Sequence, residues 1–301
     1  MSKLTKNIIV VAIIAAMVAV SELIHDPEVI FPEIAAIAAG AILSEKLAWH
    51  VDRKRIFITI LICTTLGMLI VHLPGPVYLK MTFAYLLGQL VMLGSGTSFA
   101  PMISAIVLPV MLSSKSIHYL MSAALFTAII LIAHAVKEKS EPKVDQFFKP
   151  QFTPGNLMHV GMRTVLMLLM IYGSFKVNMR FMVAPPLLVA FTEFTNPHSK
   201  ARQRPIVTIL LMGFCATAGA LSRLIFTMQL GLPLTLAAIV ASIFFVLMMD
   251  FVNLYIPPVG ACTILAMLIP AKYVTGFPMQ ALFGVLILMA LSILVFKEHD
   301  V

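Results

Sequence analysis

Residues 94–115 read GSGTSFAPMISAIVLPVMLSSK, and residues 250–272 read DFVNLYIPPVGACTILAMLIPAK. Both follow one plan: a polar lead, proline, an apolar run and a closing lysine. At a shift of 157 positions Pro101 meets Pro258 and Lys115 meets Lys272. The register holds without gaps over residues 76–133, where Pro76 meets Pro233 and Ala124-Leu125-Phe126 falls on Ala281-Leu282-Phe283. Upstream, a shift of 149 lays Arg53 and Arg55 on Arg202 and Arg204, and Thr59-Ile60-Leu61 on Thr208-Ile209-Leu210. The difference between the shifts implies an eight-residue insertion within residues 222–229. The chain contains an internal repeat.

Composition sets the solvent in which that repeat folds. Of the 301 residues, 60% are hydrophobic and 11% are charged, against roughly 45–50% and about 25% in soluble domains. So few charges cannot cover a water-soluble surface of this size, whereas a bilayer needs none. A spanning helix takes about 20 apolar residues, and twelve apolar runs are present: 8–24, 29–48, 56–73, 77–94, 98–113, 117–136, 161–176, 180–194, 205–224, 230–249, 252–271 and 277–296. They leave no room for a soluble catalytic domain. The first run is read as a retained span, because no small-residue cleavage site follows it.

The net charge of +8 points to topology rather than to nucleic acid. With the N-terminus in the cytoplasm, fifteen basic residues fall inside and six outside, a positive-inside bias that puts both termini in the cytoplasm of a cell-membrane protein. The acidic connector from Glu22 to Glu28 then lies outside. Residues 137–160 hold the one long polar stretch, expected as a solvated cytoplasmic linker whose Phe147, Phe148 and Phe152 offer an alternative seat at the membrane interface. The expected fold is therefore all-α: a polytopic membrane protein of about 12 transmembrane segments. Its first six-span repeat is residues 1–136 and its second is 161–301. An even span number keeps both repeats in one orientation, related by a pseudo-twofold axis along the membrane normal.

Chemistry-bearing residues are sparse. Cys63, Cys215 and Cys262 lie inside apolar runs without CxxC spacing, and no two histidines are spaced for a metal, so no metal or cofactor is expected. No nucleophile–base or phosphate-cradling motif appears, and no enzyme is expected. The fifth span of each repeat stands out. After Pro101, and after Pro257 and Pro258, only about 12 apolar residues remain, about 18 Å of helix against a hydrocarbon core of about 30 Å. Each is read either as a half-helix starting inside the membrane or as a proline-kinked full span. Two half-helix starts meeting at the axis would attract an anion through free N–H groups and positive dipole ends. The candidate substrate-binding residues are Thr97, Ser98, Pro101, Asn253, Pro257, Pro258 and Gly260. Among charged groups in or beside spans, Asp250 and Glu33 are candidates for coupling or gating. Glu45 and Glu193 are expected to pair with basic loops, and Lys80 and Arg223 to snorkel outward.

Ile256-Pro257-Pro258-Val259-Gly260-Ala261-Cys262-Thr263 resembles the name-giving His-Pro-Pro-Ala-Gly-Ala-Thr motif of the HPP family of integral membrane proteins. Asn196-Pro197-His198 through Arg204, followed by residues 205–221, is similar to that family's short Pro- and Arg-containing loop and its small-residue-rich span. Ile256 replaces the motif histidine and Cys262 its threonine, and the first repeat keeps only Pro101. The resemblance implies a duplicated family unit and, through the family's link to nitrite, a transporter or permease for a small anion. The paired six-span layout also resembles, more loosely, aromatic-acid exporters and fusaric-acid-resistance proteins, which makes export of aromatic or other weak organic acids the alternative. A non-transporting scaffold or partner subunit is the third reading. The expected partners are a small anionic solute, the lipid bilayer and, as an option, further copies of the chain; nucleic acid is not among them.

Overall fold

A computed structural model of the chain describes residues 1–138 and 148–297. Residue 147 and most of the polar centre of the 137–160 segment therefore lie outside the described residues. The secondary structure among them is all helical, with no strand.

Each apolar run carries one principal helix. They are α1 (Lys3–Leu23), α2 (Glu33–Ala38, continued as a π-helix over Ala39–Leu43), α3 (Arg53–Val71), α4 (Val77–Ser95), α5 (Pro101–Leu112) and α6 (Ile117–Glu138). The second half supplies α7 (Pro154–Lys176), α8 (Pro185–Phe194), α9 (Pro205–Ser222, continued as a π-helix over Arg223–Gln229), α10 (Leu234–Val252), α11 (Pro257–Leu268) and α12 (Phe277–Val295). Among the described residues eight of these, all but α2, α5, α8 and α11, are long and apolar enough to cross a membrane. The other four are short: α5 and α11 have 12 residues each and α8 has 10. Full spans are thus fewer than the twelve apolar runs. Part of each shorter run is spent on extended or turn backbone, which hydropathy does not distinguish from helix.

Local chemistry sets the helix ends. Ser2, Asp52 and Thr153 each accept a hydrogen bond from the N–H three residues on, opening α1, α3 and α7, the usual N-cap arrangement. Pro101, Pro154, Pro185, Pro205 and Pro257 occupy first-turn positions, where no N–H is needed. Gly96 closes α4 at φ 66° and Asn253 closes α10 at φ 50°, left-handed conformations that Gly and Asn adopt most readily. The eight residues inferred as an insertion form no loop. They wind on as the wide π-turn of α9.

The four short helices form a closed ring in which α2 packs on α11, α11 on α8, α8 on α5 and α5 on α2. Every residue of α5 from Pro101 to Met111, and of α11 from Pro257 to Met267, is buried. The eight long helices surround this ring. Packings within one half have counterparts in the other, α3 on α5 and α9 on α11, α3 on α6 and α9 on α12, and between the halves α1 on α10 matches α7 on α4. Outward-facing side chains are apolar, among them Phe251 at 85% and Ile206 at 72% exposure. A belt of this kind is foreign to a soluble monomer and natural against lipid.

At the described end of the linker Phe148 packs on the first half, while residues 149–155 are exposed. The Phe148 ring sits 4.1 Å from the Arg55 guanidinium carbon and 4.7 Å from the His50 ring. The N–H of Gln151 donates to the Leu93 carbonyl at 2.9 Å.

Candidate functional site

A cavity of about 1150 Å³ opens at the end of the ring where α2 and α8 finish and α5 and α11 begin. Leu43 and Ser44 from the end of α2, and Thr192, Glu193, Thr195 and Asn196 from the end of α8, form two of its walls. The leads into α5 and α11 form two more. The start of α1 and the first turns of α7 close the perimeter.

Four of the seven substrate-binding candidates come together here: Thr97, Ser98, Asn253 and Pro257 all line the cavity. The Ser98 hydroxyl accepts from the His50 N–H at 2.9 Å, and the Ser98 N–H donates to the His50 carbonyl at 3.2 Å, fixing the lead of α5 to the segment before α3. Thr97 is buried, its hydroxyl 2.9 Å from that of Ser95. The remaining three do not reach the cavity. Pro101 and Pro258 are buried in helix packing, and Gly260 lies against the backbone of α2, where an added Cβ would meet the Ala35 carbonyl oxygen at 3.0 Å.

The idea that free N–H groups at these helix starts hold an anion does not fit the backbone. Pro257 and Pro258 have no N–H, and the Val259 N–H donates to Ile256. In the first half the N–H groups of Met102 and Ile103 donate to Phe99 and Ala100. These helix starts have spent their donors locally.

Side-chain charge is what the cavity offers instead. Lys3, Lys6, Lys46, Arg163 and Lys200 line it, against the carboxylates of Glu45 and Glu193. Among the described residues Glu193 forms no ion pair; its Oε1 accepts from the Trp49 indole Nε1–H at 3.1 Å. Trp49 in turn stands edge-on to Phe99, ring centroids 5.0 Å apart. The Thr192 hydroxyl lies 3.0 Å from that of Tyr85 on α4. One cavity wall is thereby tied to helices of both halves.

Asp250 and Glu33 occupy different places. Asp250 lies beside the cavity mouth, and its partners come from α1 as well as its own loop: Asn7 Nδ2 donates to it at 2.8 Å, the Tyr255 hydroxyl at 2.6 Å, and Lys3 Nζ is 3.4 Å away. It therefore joins the first helix of one half to the last turn of α10 in the other. Glu33 is sealed inside the ring at 1% exposure. The Ser104 hydroxyl of α5 donates to its Oε1, and its Oε2 has no partner. Lys80 and Arg223 turn inward to backbone oxygens: Lys80 Nζ donates to Val71 at 3.0 Å, and Arg223 to Ala266 and Ile269 at 2.7 and 2.6 Å, at the end of α11.

Sequence reading did not single out Trp49, Glu193 or Arg163 as cavity residues. Arg163 carried a usable signal, a lone cation followed by an unbroken apolar stretch from Val165 to Tyr172. The opposite end of the molecule carries a different chemistry. Asp26 and Glu28 accept from Ser114, Ser116 and the Ser116 N–H, and the His118 ring lies 2.7 Å from Asp26. In comparison with known proteins, the chain matches no family model, no curated protein and no solved structure.

Proposed function

We propose that the chain is an integral-membrane transporter for anions, built as two six-helix repeats and captured with its cavity open toward the cytoplasm. The observation that carries this reading is the cavity itself. It sits where the short helices of both halves meet, and five basic side chains line it against two carboxylates. Basic walls around a low-dielectric recess concentrate anions, and short helices flanked by irregular backbone beside a cavity are a recurrent construction of transporter cores.

The matched packings of the two halves support the repeat. The carboxyl ends of α2 and α8 lie together, as do the leads of α5 and α11, which favours an axis along the membrane normal over one in its plane. On this reading residues 1–136 and 161–301 are the repeats, the termini and the 137–160 linker are cytoplasmic, and the network of Asp26, Glu28, Ser114, Ser116 and His118 is part of an outer closure. Asp250, bridging α1 and α10 at the mouth, is suited to gating. Glu33, bonded between α2 and α5, is suited to coupling.

The resemblance of Pro257-Pro258 and its surroundings to the HPP motif favours a small, nitrite-like anion. The size of the cavity favours a second substrate class. At about 1150 Å³ it exceeds what a triatomic ion needs and falls in the range of sites for organic molecules, in keeping with weak organic acids. Purified protein in liposomes, loaded against nitrite, acetate and benzoate in parallel, tests both. Flux above empty liposomes for any of them is expected, and its absence for all three would defeat the transport reading.

A further inference from the structure

Arg163 stands apart from the other inward-turned cations. Arg223 donates to two carbonyls, Arg202 to the carbonyls of Phe194 and Phe296, and Arg180 to the Tyr273 hydroxyl. Arg163 lines the cavity, yet its Nε is buried without a hydrogen-bond partner, and among the described residues its guanidinium joins no ion pair. A guanidinium has five donors in a fixed planar fork, and leaving a desolvated one unpaired is costly. Something with acceptors belongs there.

The surroundings define what kind. Tyr85 on α4 lies within electrostatic range of Arg163, and the hydroxyls of Tyr85 and Thr192 are bonded to each other at that wall. On the same α4 face, the Gln89 amide donates to Thr164, the neighbour of Arg163, at 3.1 Å. Two carboxylates also line the cavity, Glu45 and Glu193; Glu193 is tethered to Trp49, and neither forms an ion pair with Arg163. Arg163 thus lines an open polar recess, and among the described residues no carboxylate pairs with its charge.

We propose that Arg163 is the anion-binding residue of the cavity, its guanidinium gripping a carboxylate or another planar oxyanion through two parallel hydrogen bonds. This deepens the transport reading by naming the group that selects the ligand, and it rests on that reading only for where the ligand goes next. Lysine at this position would keep the charge and lose the fork.

The chain provides its own reporter, because Trp49 is its single tryptophan and lines the same cavity. Purified full-length protein in detergent is titrated with acetate, nitrate and chloride while Trp49 emission is followed. Acetate and nitrate should give saturable changes, with chloride much weaker. Arg163→Gln should weaken oxyanion binding by about tenfold or more, the loss expected for charge-assisted hydrogen bonds. Arg163→Lys should fall between, and Lys176→Gln, at the far end of α7, should bind as the wild type does.

Three results overturn the proposal: no saturable oxyanion response in the wild type, unchanged binding by Arg163→Gln, or chloride binding as tight as acetate. Should both Arg163 variants aggregate, the wild-type protein decides. Phenylglyoxal labelling of Arg163, read by peptide mass spectrometry, should be slowed by acetate, and equal labelling with and without acetate would overturn the assignment. Liposome flux separates the two ideas: Arg163-dependent binding without flux defeats transport alone, whereas flux with an unchanged KM in Arg163→Gln defeats the Arg163 site alone.

Discussion

Gly219→Ala places a methyl group where α9 and α11 touch backbone to backbone. A Cβ built at Gly219 lies 2.2 Å from the Thr263 carbonyl oxygen and 3.0 Å from its carbon. Gly67 stands in the same relation to α5, its Cβ position 2.4 Å from the Ile106 carbonyl oxygen. Neither obstacle is a side chain that can swing away. Reaching ordinary van der Waals separation requires about 1 Å of movement between two helices whose every other contact is already close-packed. Overpacking of this kind costs about 1–3 kcal/mol, and the better helix propensity of alanine returns up to about 1 kcal/mol. A net loss of about 1–2 kcal/mol is expected, corresponding to a fall of about 2–8 °C in apparent Tm. The assay follows from the cysteines: Cys63, Cys215 and Cys262 are all buried, so a thiol-reactive fluorophore reports unfolding directly. Gly161→Ala is the control, since nothing lies within 4 Å of its Cβ position, and its Tm should hold or rise. If Gly219→Ala melts with the wild type, α9 and α11 do not approach as closely as described, and the seating of the short-helix ring is wrong.

Other expectations are more local. Asn253 sits at φ 50°, so Asn253→Leu should lose about 1–2 kcal/mol of stability to left-handed strain alone. Asn253→Gly is the cleaner test of its amide, and lowered flux at unchanged Tm in Asn253→Gly or Ser98→Ala would mark a transport role. If both carry substrate normally, those side chains do not bind it. Burial pushes the pKa of Asp26 up, but the Ser116 hydroxyl, the His118 ring and the Glu28 N–H more than offset it and hold the carboxyl below its ordinary value of 3.8. That stabilisation is present above about pH 4 and is lost as pH falls through the depressed value. The wild type should therefore lose Tm more steeply than Asp26→Asn below pH 4; parallel curves would remove the network from the acid response. A single cysteine at Gln203 should react with an impermeant maleimide only in inverted vesicles, and one at His25 only in intact cells. The opposite pattern would invert the topology.

Much of the architecture is written in apolar periodicity and prolines, because each apolar run holds a helix and Pro101, Pro154, Pro185, Pro205 and Pro257 mark helix starts. The shortness of α5 and α11 was legible from Pro101, Pro257 and Pro258. That of α2 was hidden, since Val29, Ile30 and Phe31 ahead of it are as hydrophobic as the helix itself. The cavity was legible only from the two leads, through Thr97, Ser98, Asn253 and Pro257. Trp49, Glu193 and Arg163 come from segments far apart in sequence, and Asp250 finds Asn7 243 positions away. No local pattern encodes such meetings. Pro101, Pro258 and Gly260 stand out in sequence by their place at the two short helix starts of the repeat, but each is buried in helix packing, Gly260 against Ala35 of α2.

The alternating direction of the ring has an electrostatic consequence. At the cavity α2 and α8 present carboxyl ends and α5 and α11 amino ends, so the four half-charges of about 0.5 e alternate in sign around the opening. Such an arrangement is a quadrupole, whose potential along the axis largely cancels and decays faster than that of a single helix end. The backbone is therefore nearly indifferent to the sign of an ion on that axis. Discrimination is left to removable side chains, so neutralising Lys3, Lys6, Lys46, Arg163 and Lys200 together should erase anion preference without disturbing the helices that shape the passage.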